Sequence, residues 1–137
     1  MKHGFAYLSQ NRFLSIPPTA DASARPFGIA GIPYDGAVTN RPGARFAPSS
    51  IRAASQMLCD GIHPFFNVSP FDYVNDVGDI ATPNTDLSAM RAVLGQYIPD
   101  LLKQHHMVWL GGDHSVTLGL LRAYRAHFGV PLAVLHF

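Results

Sequence analysis

The sequence is poor in the features that mark a specialised environment. Its single cysteine, Cys59, rules out an intramolecular disulfide and any cysteine-rich zinc site. No apolar run approaches the roughly 20 residues needed to cross a bilayer. The segment from Met1 to Gln10 mixes Lys2, His3, Gly4 and Ser9 with apolar residues, so it lacks the unbroken stretch of a signal peptide. Charged residues make up only 14% of the chain, against roughly 25% in an ordinary soluble domain, so buried interfaces are expected. Net charge is +1 with Lys and Arg scattered, which gives neither a nucleic-acid track nor a patch for an anionic membrane. These absences predict a soluble, cytoplasmic chain with no nucleic-acid and no membrane partner.

What is present suffices for a core: 137 residues, 47% of them apolar, describe one folded domain and not a disordered tail. After an irregular start containing Pro17, Pro18 and Pro26, Phe27 to Ile32 reads as a short buried strand stopped by Pro33. Residues Tyr34 to Ala47 have the Gly, Pro and polar content of a long ordered loop. Pro48 suits the first turn of a helix running to about Cys59, with Ile51, Ala54, Ser55 and Leu58 at helical spacing. Tyr73 to Val77 is a second strand closing on Gly78, Asp79 and Ile80. Asp86 is placed to cap a long amphipathic helix through Leu87, Met90, Leu94, Tyr97, Ile98, Leu101 and Leu102, which Pro99 should kink or divide. Met107 to Leu110 is a third strand, Val116 to Phe128 a helix capped by Gly129, and Pro131 to Phe137 a final buried strand. Apolar strands separated by helices predict an α/β class: a parallel sheet with right-handed crossovers and helices on both faces. Because Leu132 to Phe137 has no helix or polar tail after it, the natural fold is expected to continue, which makes this chain a fragment or a truncated reading frame.

In open α/β sheets ligands gather beyond the carboxyl ends of the strands, which singles out residues 33–45, 78–80 and 111–115. In Gly111-Gly112-Asp113-His114-Ser115 two glycines allow a tight turn that delivers Asp113 and His114 to the sheet mouth. A histidine there can bind a divalent metal through a ring nitrogen. Equally, Asp113 or Ser115 caps the following helix and His114 only packs or hydrogen-bonds. The segment lacks the spacing and Lys of a phosphate-binding P-loop. Asp35, Asn40, Arg41 and Arg45 either shape a pocket or order the loop; Asp76 and Asp79 read as turn or cap residues. His105 and His106 fall at a helix end, where the dipole favours histidine, and His136 is expected to be buried in its strand.

Gly111 to Ser115 followed by Val116-Thr117-Leu118 resembles the first metal-binding motif of the ureohydrolases, the arginase, agmatinase and formiminoglutamase family. Gly31-Ile32-Pro33-Tyr34-Asp35, Arg41 to Pro48 with Ile51-Arg52, and Asp76 to Ile80 resemble the family's earlier segments in the same order, over most of residues 27–137. The likeness is greatest to the agmatinase branch. It implies an arginase/deacetylase-like three-layer α/β/α fold, with residues 1–137 forming the N-terminal part of a single ureohydrolase domain and residues 1–26 an irregular arm. It implies a pair of Mn2+ ions, with His114 the one metal ligand carried over; catalytic residues are unknown and no other cofactor is implied. The family's next ligand motif, Asp-Ala-His-x-Asp, would follow a strand like 131–137. Ala47 stands where the family usually has Gly before Pro; were a positive φ needed there, Ala would be disfavoured by about 1 kcal/mol.

In the complete protein the implied reaction is hydrolysis of a small guanidino compound, agmatine to putrescine and urea, by a homo-oligomer; guanidinobutyrase, guanidinopropionase and arginase activities are alternatives. A guanidinium is a poor electrophile, and two metal ions roughly 3.5 Å apart make hydroxide available near neutral pH. One histidine cannot hold such a pair, so this chain alone is expected to be inactive. Two further readings are a non-catalytic remnant that docks onto a partner and a nucleotide-binding module using Gly111 and Gly112.

Overall fold

The computed structural model describes residues 8–19, 21 and 24–137; the reading made of Lys2, His3 and Gly4 lies outside these. Its elements run β1 (Phe27–Ile32), α1 (Ala47–Ser55), β2 (Val74–Asp79), α2 (Leu87–Gln104), β3 (His106–Gly111) and α3 (Val116–Phe128), with short 3-10 turns between some of them. The strands form one parallel sheet in the order β2-β1-β3. Phe27 at the start of β1 pairs with both Val74 and His106, and Gly31 near its end pairs with both Asp79 and Leu110, so the carboxyl ends lie level.

Neighbouring residues of a strand face opposite ways, and here each way meets a helix layer. Ile32 joins Ile80, Met90, Leu94, Ile98, Val116 and Ala123 in a core between the sheet and the α2–α3 pair. A Cβ at the adjacent Gly31 would instead meet Pro48 of α1. The step from β1 to β2 and the step from β2 to β3 run in opposite directions across the sheet. Crossovers of one hand must then place α1 and α2 on opposite faces, as they are. The three-layer arrangement expected from the sequence is therefore present, in three strands.

The α1 layer is organised by charge. Arg52 is 0% exposed; its Nε donates to Asp76 Oδ2 at 2.7 Å and its Nη2 to Asp76 Oδ1 at 2.9 Å, while Nη1 donates to Asp79. Residues three apart on a regular strand point to opposite faces. Here the register shifts so that Ile29 pairs with Asp76 but Ala30 with Gly78, leaving Val77 as the extra residue of a bulge. The bulge turns both carboxylates to the α1 face, and Gly78 takes the φ of +87° that this needs. The N-terminal arm closes over the cluster. The backbone N–H of Ser9 donates to Asp79 and that of Phe13 to Asp76, each at 2.7 Å. Arg12 donates to the Asp76 carbonyl and Leu14 N–H to Ser55 Oγ at 2.8 Å, and Leu14 and Ile16 are buried beneath.

Several expectations need correction. The α-helix proper ends at Ser55 and continues as a 3-10 turn to Leu58. Its buried face is Pro48, Arg52 and Ser55, whereas Ile51, Ala54 and Leu58 face solvent. Two aspartates on β2 outweigh the apolar stripe in setting the helix rotation. α2 runs through Pro99 as one element, with Asp86 accepting from the N–H groups of Ser88 and Ala89 as expected. Ala47 has helical φ −58° and ψ −45°, so no positive φ is required there. His105 is buried with its Nδ1 2.9 Å from the Arg25 carbonyl, a packing role and not a dipole one. Residues 131–137 form no strand, and Leu135 is 80% exposed. A β-prone run becomes a strand only against another strand, and this one does not return to the open edge of β3. No helix among the described residues is long and apolar enough to cross a membrane.

Burial raises the Asp76 carboxyl, but the Arg52 guanidinium with the Phe13 and Gly78 N–H groups outweighs it and holds the carboxyl below its usual range. A depressed folded-state value stabilises the fold above the unfolded value near 3.9, and that stabilisation is lost as pH falls through the folded value. Urea unfolding followed from pH 7 downward should show stability declining below about pH 4, and the decline should be shallower in Asp76→Asn. Arg52→Ala leaves two buried carboxylates without a partner and should lower unfolding stability by about 3–5 kcal/mol. A loss below about 1 kcal/mol, the size of a surface pair, would contradict the buried fork.

Candidate functional site

β1 lies between its two neighbours, so the chain leaves its carboxyl end beside that of β3 at the point where strand order reverses, the usual place for a ligand crevice in such sheets. The loop after β1 (33–46) and the turn after β3 (112–115) face each other there. Between them is a pocket of about 440 Å³ lined by residues 37–41 and 113–115.

Both walls are held by carboxylates. Asp113 N–H donates to the Tyr34 carbonyl at 2.8 Å, and its Oδ2 accepts from Ala37 N–H at 3.0 Å, which ties the two walls together. Its Oδ1 accepts from Ser115 N–H at 2.9 Å and from the Ser115 hydroxyl. A Cβ at Gly112 would collide with the Tyr34 backbone, so glycine is demanded by the approach of the walls. At Gly111 the nearest atom to such a Cβ is 3.9 Å away, so only one of the two glycines is sterically required.

Asp35 orders the first wall from inside. It is buried, accepting from Gly43 N–H at 2.7 Å and from Arg45 Nε at 2.6 Å, with Arg45 completing an ion pair. The Arg45 hydrogen bond holds the Asp35 carboxyl below its usual range, against burial and helped by the Gly43 and Arg45 N–H groups. Asn84 accepts from Asp35 N–H at 2.9 Å and donates to the Pro33 carbonyl at 3.2 Å. Of the four polar loop residues singled out in the sequence, Asp35 and Arg45 thus order the loop, while Asn40 and Arg41 are exposed and line the pocket.

His114 is exposed at the pocket, not turned into the apolar interior. His136, expected inside a strand, is exposed with its ring centroid 5.3 Å from that of His114 at 81°. Asp76 and Asp79, expected as turn residues, belong to the Arg52 cluster on the α1 face. Sequence reasoning missed that cluster. Its signal was a glycine between two acids at a strand end, in a chain with few charges to neutralise them.

A manganese pair requires several carboxylate oxygens alongside imidazole. Among the described residues no three His, Cys, Asp or Glu side chains are grouped to hold an ion. The nearby carboxylates of Asp113 and Asp35 are occupied with N–H, hydroxyl and guanidinium donors. The residues described do not fit a manganese pair by themselves.

The fold and crevice define an α/β protein with an open pocket beyond the carboxyl ends of a parallel sheet. A model of the arginase family matches residues 25–137, and the chain belongs to that family. It is 35% identical over 127 residues to proclavaminate amidinohydrolase of Streptomyces clavuligerus, covering 90% of this chain and 40% of that protein. With guanidinopropionase of Pseudomonas aeruginosa identity is 34%, covering 91% and 39%; with agmatinase of Serratia proteamaculans it is 41%, covering 80% and 37%. The structure of a hypothetical agmatinase from Burkholderia thailandensis superposes with TM-score 0.83 at 32% identity, covering 92% of this chain and 41% of that one. A formiminoglutamase from Trypanosoma cruzi, solved with Mn2+, superposes at 0.68 with 26% identity, covering 85% and 40%. The chain spans about 40% of the length of the relatives it matches.

The two glycines make separable predictions. Gly112→Ala should force the walls apart and reduce stability by about 1–3 kcal/mol or more, whereas Gly111→Ala should change it by less than about 0.5 kcal/mol. Thermal unfolding of both variants checks this; equal effects would contradict the contact assigned to Gly112.

Proposed function

We propose that the complete protein is a metal-dependent ureohydrolase that converts agmatine and water to putrescine and urea. His114 supplies one ligand to a pair of Mn2+ ions in it, and residues 1–137 form the N-terminal part of a single catalytic domain. The observation carrying this reading is the placement of an exposed imidazole on the β3 wall of the crevice in a chain of this family. The Mn2+ in the formiminoglutamase neighbour supports the choice of metal. The remaining ligands and the catalytic residues come from polypeptide beyond this chain.

What these residues contribute is the shape of one side of the crevice. Asp113 holds the two walls at a fixed separation, Asp35 with Arg45 and Asn84 stiffens the first wall, and exposed Asn40 and Arg41 face the space where a small substrate would lie. A rigid wall matters because a reacting group misplaced by about 1 Å loses orders of magnitude in rate. Guanidinobutyrate, guanidinopropionate and arginine remain alternative substrates, since tail contacts are expected mainly from later loops. The low charge content also supports a homo-oligomer, and the reading as a whole supports a cytoplasmic setting.

The complete protein loaded with Mn2+ should release urea from agmatine faster than from the three alternatives. His114→Ala should lower kcat at least about a hundredfold, since even groups that only support a metal ligand carry 10–100-fold effects. Urea release from none of the four compounds, or full activity in His114→Ala, would contradict the proposal.

A further inference from the structure

From Gly61 to Phe71 the loop between α1 and β2 contains no Asp, Glu, Lys or Arg, and its tip is apolar and turned to solvent. Phe65 is 87% exposed and Phe66 76%, with Ile62, Val68, Tyr73 and Phe27 about half exposed. The loop is built to hold that tip. Ser69 Oγ donates to the Asp60 carbonyl at 2.7 Å and closes the base, while His63 N–H donates to the Val68 carbonyl and Asn67 N–H to the His63 carbonyl, each at 2.9 Å. His63 Nδ1 accepts from the N–H groups of Phe65 and Phe66 at 3.2 and 3.4 Å, and its ring lies 4.7 Å from that of Phe66 between centroids. Asn67 takes a φ of +50°, which asparagine tolerates better than most residues. An ordered loop that shows two phenylalanines to water forgoes their burial unless another surface takes them.

Beside the tip is a groove of about 560 Å³ whose walls include Phe27, Phe66, Val68, Pro70 and Tyr73. It lies at the amino ends of β1 and β2, away from the crevice, so one face carries a protruding pair of rings and an apolar hollow together. We propose that this face is a two-fold interface with a second copy of this chain, in which Phe65 of each copy enters the groove of the other.

Two observations name the occupant. A two-fold interface sets a patch against itself, so any charge at its centre meets its own like, whereas a foreign partner is selected by opposite charge. Residues 61–71 carry no formal charge, and Asp60 and Asp72 fall at the ends of the segment, where salt screens them. The area also suffices. At about 200 Å² for a fully exposed aromatic residue, Phe65, Phe66 and their four half-exposed neighbours present roughly 600 Å². Two copies then bury about 1,200 Å², the lower limit of a stable specific interface. The pairing gives a surface to the homo-oligomer proposed above, and it stands on this loop whether or not the complete protein hydrolyses a guanidino compound.

Sedimentation equilibrium of the 137-residue chain should show a dimer with a Kd below about 100 μM, not weakened by about 0.5 M NaCl because the contact is apolar. Phe65→Asp, which removes the knob, and Val68→Lys, which blocks the groove, should each raise Kd at least about tenfold. Leu135→Asp, on an exposed apolar segment elsewhere, should leave it within about twofold. An equimolar mixture of Phe65→Asp and Val68→Lys should associate more tightly than either variant alone, since the mixed pair keeps one intact knob and one intact groove. Isotope-filtered contacts between the Phe65 ring of one copy and the Val68 methyls of another, read by NMR on the unaltered chain, decide the matter even if a variant misfolds. A monomer at about 100 μM assigns the face to a different partner and overturns the pair. An unchanged Kd in Phe65→Asp, a dimer abolished by Leu135→Asp, or a mixture without recovery would each overturn it as well.

Discussion

The buried fork between Arg52 and the carboxylates of Asp76 and Asp79 is the constraint on which the other features hang. It fixes the rotation of α1 over β2, and α1 is where the long loop after β1 ends. With β1 holding one end of that loop and the fork holding the other, the Asp35–Arg45 pair and Asn84 need only settle its middle. The loop then presents Ala37 to Asp113, and that hydrogen bond sets the distance between the walls of the crevice. A charged cluster on one face of the sheet thus governs a site at its carboxyl edge. The arrangement is sensitive in proportion: a buried pair adds little net stability when intact, but losing one partner is severe.

The loop after β1 and the turn after β3 build the two facing walls of a crevice. The walls are ordered backbone, with one imidazole, that of His114, exposed on the β3 turn. The carboxylates within reach are committed to holding the loops. Division of labour of this kind is common in α/β sheets, where ligands come from the ends of several strands and each loop needs only one or two functional side chains.

Much of the architecture was legible in the sequence because it follows from local signals. β1, between a Pro-rich start and Pro33, and α3, between Ser115 and a left-handed Gly129, fall on the residues expected from those signals. Asp86 caps α2 as its position implied. The position of His114 at the sheet mouth followed from strand-end logic, and the family from the order of the motifs. What the sequence concealed were the effects of partners distant along the chain. Ile51, Ala54 and Leu58 form a convincing helical stripe, yet the helix turns Arg52 inward because a bulge 25 residues away aims two carboxylates at it. The expected strand at 131–137 and a buried His136 failed for the same reason: a strand is defined by its neighbour, and periodicity names none.

The central claim is that the loop after β1 is held rigidly against the β3 turn by side-chain carboxylates. Native-state hydrogen exchange of the Ala37 and Gly43 amides, which donate to Asp113 and Asp35, measures this directly. The account predicts that both amides are protected to a degree approaching the β1 ladder, and that both lose protection together in Arg52→Lys, which cannot reproduce the fork. Exchange of either amide at the rate of an unstructured chain would contradict it.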